Sequence, residues 1–139
     1  MRPFISVLLL VVSVRAFSAS TDSIAVIETS EKYIRAFYEN QPSWLEEVLH
    51  PALIKRTLKS FKGSDEFVQT NGKSEMVELS KVFNVSGKFN KNSKAEIELL
   101  DLYQEIATVK LTAEGWIDYL HLIKVNGRWQ IVNVVWLMI

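Results

Sequence analysis

The sequence predicts an α+β domain, with helices first and an antiparallel β-sheet after them. Three observations carry this. Asp22–Asn40 repeats apolar residues at helical spacing. From Ala95 onward the chain alternates apolar and polar residues or is β-rich. Near the C-terminus two β-rich runs flank Asn126-Gly127, a pair that favours a two-residue hairpin turn because both residues tolerate positive φ. Helices followed by a meander pack with the helices gathered on one side of the sheet.

The elements follow in order. Met1-Arg2-Pro3 is a short basic start, and Phe4–Val14 is apolar but for Ser6 and Ser13. Small residues come next, and cleavage after Ser18 or after Ser20 satisfies the small-x-small rule, so residues 1–20 read as a secretory signal peptide. The run is too short to span a bilayer as a mature helix. An uncleaved anchor or a buried N-terminal helix are the alternatives. Asp22–Asn40 is a helix with Ile24, Ile27, Ile34, Phe37 and Tyr38 on one stripe, ended by Pro42. A short second helix starts at Ser43, where Ser43-Trp44-Leu45-Glu46 fits a capping box, and stops near His50 because Pro51 disfavours a helical residue before it. Pro51–Leu58 adds a further helical turn in this reading. Thr57–Thr70, broken by Lys62-Gly63-Ser64-Asp65, is a small hairpin or an irregular stretch. Lys73–Phe83 is a third helix with Met76, Leu79 and Phe83 on one side, and Gly87–Lys94 is a polar loop whose lysines are solvated. Strands are expected over Ala95–Leu102, Ile106–Ala113, Trp116–Val125 and Arg128–Leu137.

Composition narrows the function classes. The 139 residues suffice for one domain with a modest core. Without residues 1–20 the chain keeps 14 basic and 16 acidic residues. A near-neutral domain has no field to hold a polyanion, so no nucleic-acid partner is expected. With no cysteine, disulfides, thiol catalysis and Cys-zinc sites are excluded. Phosphate-binding glycine loops, metal-ligand histidine spacing and nucleophile-elbow patterns are absent, so neither cofactor nor metal is expected. The destination is secreted or periplasmic, with no membrane attachment after cleavage. Asn84-Val85-Ser86 is a glycosylation sequon, meaningful only on a eukaryotic route.

A tight turn at Asn126-Gly127 makes the numbers of opposed residues sum to 253, so His121 faces Val132 and Tyr119 faces Val134. One face then holds Ile117, Tyr119, His121, Ile123, Val132, Val134 and Trp136. The other holds Trp116, Asp118, Leu120, Leu122, Trp129, Ile131, Asn133 and Val135. Asp118 and His121 cannot form a dyad unless a bulge intervenes. Both faces are apolar, so both should be covered, one by helices and a pocket and the other by a partner subunit.

Leu49-His50-Pro51, Lys55-Arg56-Thr57, Asp118-Tyr119-Leu120-His121-Leu122 and Asn126-Gly127-Arg128-Trp129-Gln130-Ile131-Val132-Asn133 carry a resemblance. The chain resembles the NTF2-like superfamily, the cone fold of ketosteroid isomerase, scytalone dehydratase and SnoaL-type cyclases, and within it the putative lumazine-binding branch. The resemblance implies N-terminal helices packed on a curved antiparallel sheet, and a homodimer formed through the sheet. It implies that Trp136 and a polar residue near His121 line a cavity, which assigns the Tyr119/His121/Trp136 face to the pocket. By position Tyr33 resembles the first-helix oxyanion tyrosine and His121 the late-strand acid. Where the family places a carboxylate base, this chain has Lys55, Arg56 and Thr57. A guanidinium cannot act as a base, but it can clamp an anionic oxygen.

The candidate residues are therefore Tyr33 and His121 for catalysis, and Arg56, Tyr119, His121 and Trp136 for ligand binding. Each has a plainer reading. His121 would be a core histidine satisfied by backbone, Arg56 a surface arginine, and Tyr119 and Trp136 packing aromatics. Trp129 reads as core, and His50 as a cation at a helix C-terminus. Three functions follow: a secreted protein binding a small polar or anionic ligand in a hydrophobic pocket; a lyase, isomerase or cyclase; or a non-catalytic oligomerisation or matrix module. The missing carboxylate base favours the first.

Overall fold

The computed structural model describes residues 6–63, 65–90 and 92–139, with side chains from Thr21 onward. Residues 1–5 of the proposed signal peptide, and Lys91 of the polar loop, lie outside the described residues. The elements run α1 (Ser6–Tyr38), α2 (Pro42–Val48), β1 (Leu49–Lys59), β2 (Phe67–Gly72), α3 (Lys73–Val82), β3 (Glu96–Tyr103), β4 (Ile106–Ala113), β5 (Trp116–Val125) and β6 (Arg128–Met138). The helices lie on one side of a curved mixed sheet, an α+β architecture.

α1 buries Val26, Ser30, Tyr33, Ile34 and Phe37, while Ile24 points to solvent. The stripe is thus rotated from the expected one at its N-terminal end. Ser30 is tolerated on it because its hydroxyl donates to the Val26 carbonyl at 2.8 Å. The helix stops where Asn40 takes φ +50°. α2 begins at Pro42, a residue suited to the first helical position because its missing N–H would be unpaired there anyway. The expected capping box is not formed: Gln41 is the N-cap and makes no side-chain cap bond. Pro51–Leu58 is strand, not helix, and its side chains alternate inward (Leu53, Lys55, Thr57) and outward (Ile54, Arg56, Leu58). The segment after it folds back as β2, so the hairpin reading holds. α3 starts after Gly72, whose amide donates to the Glu75 carboxylate at 3.0 Å.

The sheet order is β2-β1-β6-β5-β4-β3. All neighbours are antiparallel except β1 and β6, which are parallel. The expectation of a wholly antiparallel sheet is corrected here. A parallel pair needs a long crossover, and this one spans everything from β2 to β5, which no local pattern reveals.

The turn at Asn126 (φ +50°) and Gly127 (φ +78°) forms as expected, and the 253 register holds from Val125↔Arg128 to Leu122↔Ile131. There it breaks. His121 pairs with Asn133, not Val132, and every later pair is displaced by one residue. Val132 is the extra residue of a β-bulge. Because side chains alternate, one inserted residue sends Val134 and Trp136 to the other side of the sheet. The inner face therefore combines Trp116, Asp118, Leu120 and Leu122 of β5 with Ile131, Val134 and Trp136 of β6. Ala107, Val109, Leu111 and Ala113 of β4 extend it. Trp129 is buried, as expected.

Candidate functional site

The inner face and the helices enclose a cavity of about 320 Å³. Its walls are aromatic. Phe37 meets Phe83 at 5.3 Å between ring centres, Phe83 meets Phe89 at 5.7 Å, and Phe89 meets Trp116 at 6.0 Å. Edge-to-face and offset contacts of this kind suit the ring quadrupoles and hold the wall rigid. Leu79 and Met76 of α3 close one side, and Trp136 another.

Three polar side chains meet in this apolar shell. Sheet geometry brings them together. In the parallel pair Lys55 lies beside Val134 and Thr57 beside Trp136; in the antiparallel pair Trp136 lies beside Asp118. Lys55 and Asp118 are thus two strands apart, about 10 Å of sheet, a span that a lysine and an aspartate bridge by leaning together. Lys55 Nζ donates to Asp118 Oδ1 at 2.9 Å and to the Tyr33 hydroxyl at 2.8 Å. The Tyr33 hydroxyl donates to Asp118 Oδ2 at 3.3 Å, and so does Trp116 Nε1, also at 3.3 Å. Tyr33 and Asp118 are each 1% exposed and Lys55 8%, so water does not screen this cluster. The ammonium also stands 5.2 Å from the centre of the Trp136 ring and 5.5 Å from that of Tyr33.

Burial pushes the Tyr33 hydroxyl well above its usual pKa, and the Asp118 carboxylate pushes it the same way. The phenol is therefore a fixed proton donor. Burial pulls the Lys55 ammonium below its usual value, while Asp118 opposes that fall. The arrangement can donate hydrogen bonds to an oxygen entering the cavity, and it holds a carboxylate, a phenol and an amine within proton-transfer distance.

The residues singled out from sequence divide between the two faces. Tyr33 and Trp136 line the cavity. Tyr119, His121 and Arg56 lie on the outer face, which corrects their assignment to the pocket: the bulge at Val132 parts Trp136 from Tyr119 and His121, and Arg56 is an outward position of β1. Arg56 and His121 do come together there, joined by Asn133. Arg56 Nη1 donates to Asn133 Oδ1 at 2.5 Å, and Asn133 Nδ2 lies 3.0 Å from His121 Nδ1. An acid–base role toward a cavity ligand is closed to His121. His50 lies in β1, just past the end of α2, and its Nδ1 accepts from the Ala52 amide at 3.1 Å. Asn84 is buried, with Nδ2 donating to the carbonyls of Tyr38 and Phe89 at 2.7 Å each. A glycan on that nitrogen would displace at least one of these two donated bonds, so the folded chain opposes use of the sequon. Lys88 sits over the Phe89 ring at the cavity rim, its ammonium 5.1 Å from the ring centre.

Sequence reasoning missed Lys55 and Asp118 as cavity residues. A signal existed. Asp118 shares its expected face with Trp116, Leu120, Leu122, Trp129 and Ile131. An acid among so many large apolar side chains must find a buried partner.

The fold matches solved structures over most of its length. An NTF-2-like protein of unknown function from Silicibacter pomeroyi superposes with a TM-score of 0.65 at 14% identity, covering 86% of this chain and 98% of that one. An NTF2-like protein of unknown function from Methylobacillus flagellatus gives 0.62 at 18% identity, covering 86% and 93%. A ketosteroid isomerase-like protein from Erwinia carotovora atroseptica gives 0.57 at 17% identity, covering 84% and 95%. At such identities these likenesses speak for the fold alone. A search of curated proteins finds no match. The fold is that of NTF2-like proteins; the model of the putative lumazine-binding family matches residues 21–137, and the chain belongs to that family.

Proposed function

We propose that this protein binds a small planar molecule of one or two rings in the aromatic cavity, with an acceptor oxygen of the ligand directed at Lys55. The observation that carries this is the Lys55–Asp118–Tyr33 cluster at the wall of an otherwise apolar pocket. A pocket of about 320 Å³ lies at the low end of ligand sites, which sets the ligand size. The ammonium has three protons, and two are taken by Tyr33 and Asp118. The third is available to a ligand. Lys55 and Asp118 together carry no net charge, which suits a neutral carbonyl better than a full anion. The anionic option rested on Arg56, and that guanidinium faces away from the cavity.

The family description makes lumazine, a planar bicyclic dione, the first probe. Titration with lumazine should change the fluorescence of Trp116 and Trp136 saturably. Leu79→Trp, which fills the cavity from α3, should abolish the change while leaving the circular dichroism spectrum intact. No saturable change with lumazine or any other one- or two-ring carbonyl compound would overturn the reading.

Two further parts of the proposal concern the whole chain. Residues 1–20 act as a signal peptide, so the protein is secreted or periplasmic. The apolar run Phe4–Val14 supports this, as does a family match that begins at Thr21. Among the described residues no helix is long and apolar enough to cross a membrane. N-terminal sequencing of the exported protein should begin at Ala19 or Thr21. The outer face of the sheet pairs with a second copy, supported by the exposed apolar side chains it presents, Ile54, Tyr119, Val135 and Leu137 among them.

A further inference from the structure

We infer that Lys55 captures its ligand covalently, as an iminium formed with an aldehyde or ketone carbon held in the aromatic cavity. This rests on the small-molecule reading above and adds a reaction to it. Four observations point the same way.

Lys55 is the one buried lysine among the described residues, and its side chain lines the cavity. A lysine serving only to neutralise Asp118 would have no need to border a ligand-sized space. Desolvation weakens the hold of the ammonium on its proton, the usual way in which an amine becomes a nucleophile at neutral pH. Asp118 Oδ1 at 2.9 Å is the acceptor for that proton. The Tyr33 hydroxyl accepts from the same nitrogen at 2.8 Å, and burial keeps it protonated, so it stands ready as the acid for the carbonyl oxygen.

The step balances. Asp118 takes one proton from the ammonium, and the freed amine attacks the carbonyl carbon. The C–N bond forms as the C=O π bond breaks, and the alkoxide takes a proton from Tyr33, giving a carbinolamine after the nitrogen proton passes to the tyrosinate. The proton held by Asp118 then goes to the carbinolamine hydroxyl, which leaves as water while the nitrogen lone pair forms the C=N bond. An ammonium and a carbonyl have become an iminium and one water. The nitrogen is cationic at the start and at the end of the exchange, so Asp118 ends beside a cation, as it began. The buried carboxylate is never left unpaired in the product, which removes the largest penalty such a site would otherwise face. Trp136, already under the ammonium, faces the iminium in the same way.

The test uses the full chain, benzaldehyde and sodium cyanoborohydride at neutral pH, with the reduced adducts located by peptide mass spectrometry. Labelling of Lys55 should run at least about tenfold faster than that of the exposed Lys62 and Lys94, as expected for a desolvated amine with an acid and a base beside it. Tyr33→Phe should slow labelling of Lys55 and leave Lys62 unchanged, with the circular dichroism spectrum and urea midpoint showing that the fold is kept. Benzyl alcohol, which has the same ring but no carbonyl, is titrated in parallel by tryptophan fluorescence. If it binds while Lys55 is labelled no faster than Lys62, covalent capture is overturned and the binding reading stands. If it does not bind and Lys55 is not selectively labelled, both are overturned.

Discussion

Asp118 gathers three donors, Lys55, Tyr33 and Trp116, on two oxygens inside an apolar shell. Removing one member of a buried ion pair leaves the other charge without compensation, whereas replacing both removes the desolvation cost along with the attraction. Asp118→Ala should therefore destabilise the domain by about 3–5 kcal/mol in urea unfolding. Lys55→Met combined with Asp118→Leu should recover most of that loss. Equal destabilisation of the single and double variants would show that packing, not charge, dominates here. These residues were hard to read from sequence for a specific reason. Lys55 and Asp118 are 63 positions apart, and they meet only because β1 pairs in parallel with β6 and a bulge turns Trp136 inward. Tyr33 and Trp136 were legible only through the resemblance, which matched one by its place in the first helix and the other by its place in the last strand.

Among elements, Asp22 clips the start of α1's described side chains to the terminal hairpin. Asp22 Oδ1 accepts from Lys124 Nζ at 2.7 Å and from Trp129 Nε1 at 3.0 Å. These hydrogen bonds, from Lys124 and then Trp129, hold its carboxyl below the ordinary aspartate value of 3.8. The unfolded carboxylate takes up its proton first as pH falls. The clip thus contributes fully above 3.8 and is lost as pH drops through the lower folded value. The stability difference between the wild type and Asp22→Asn, from urea unfolding across acid pH, should shrink in that window. A difference that stays constant would mean the clip does not depend on ionisation. Element type was legible wherever periodicity was long: β4 and β5 lie where alternation put them. It failed at Pro51–Leu58, where a proline after a short helix suggested one more turn. Propensity there yields to pairing with two neighbouring strands. It failed again at Val132, since a bulge has no signature in an alternation that continues unbroken on both sides.

At the scale of the whole molecule, the outer face keeps Tyr119 44%, Val135 45% and Leu137 52% exposed around the Arg56–Asn133–His121 cluster. Placing a charge at its centre should split the proposed dimer without touching the core. Val135→Glu should sediment as a monomer at concentrations where the wild type sediments as a dimer, with the cavity still binding its ligand. A wild type that is monomeric throughout would remove the dimer proposal. Sheet order has a further consequence, for the route by which the chain acquires its shape. β6 lies between β1 and β5 and, among the described residues, is the strand that joins β2-β1 to β5-β4-β3. Until Arg128–Met138 has left the ribosome, the nascent polypeptide holds two half-sheets with no strand pairing between them. Final closure must wait for the last piece synthesised, and a non-local pairing of that kind is slow. A chain so delayed stays threadable during synthesis, and it offers chaperones an open edge until the final strand arrives.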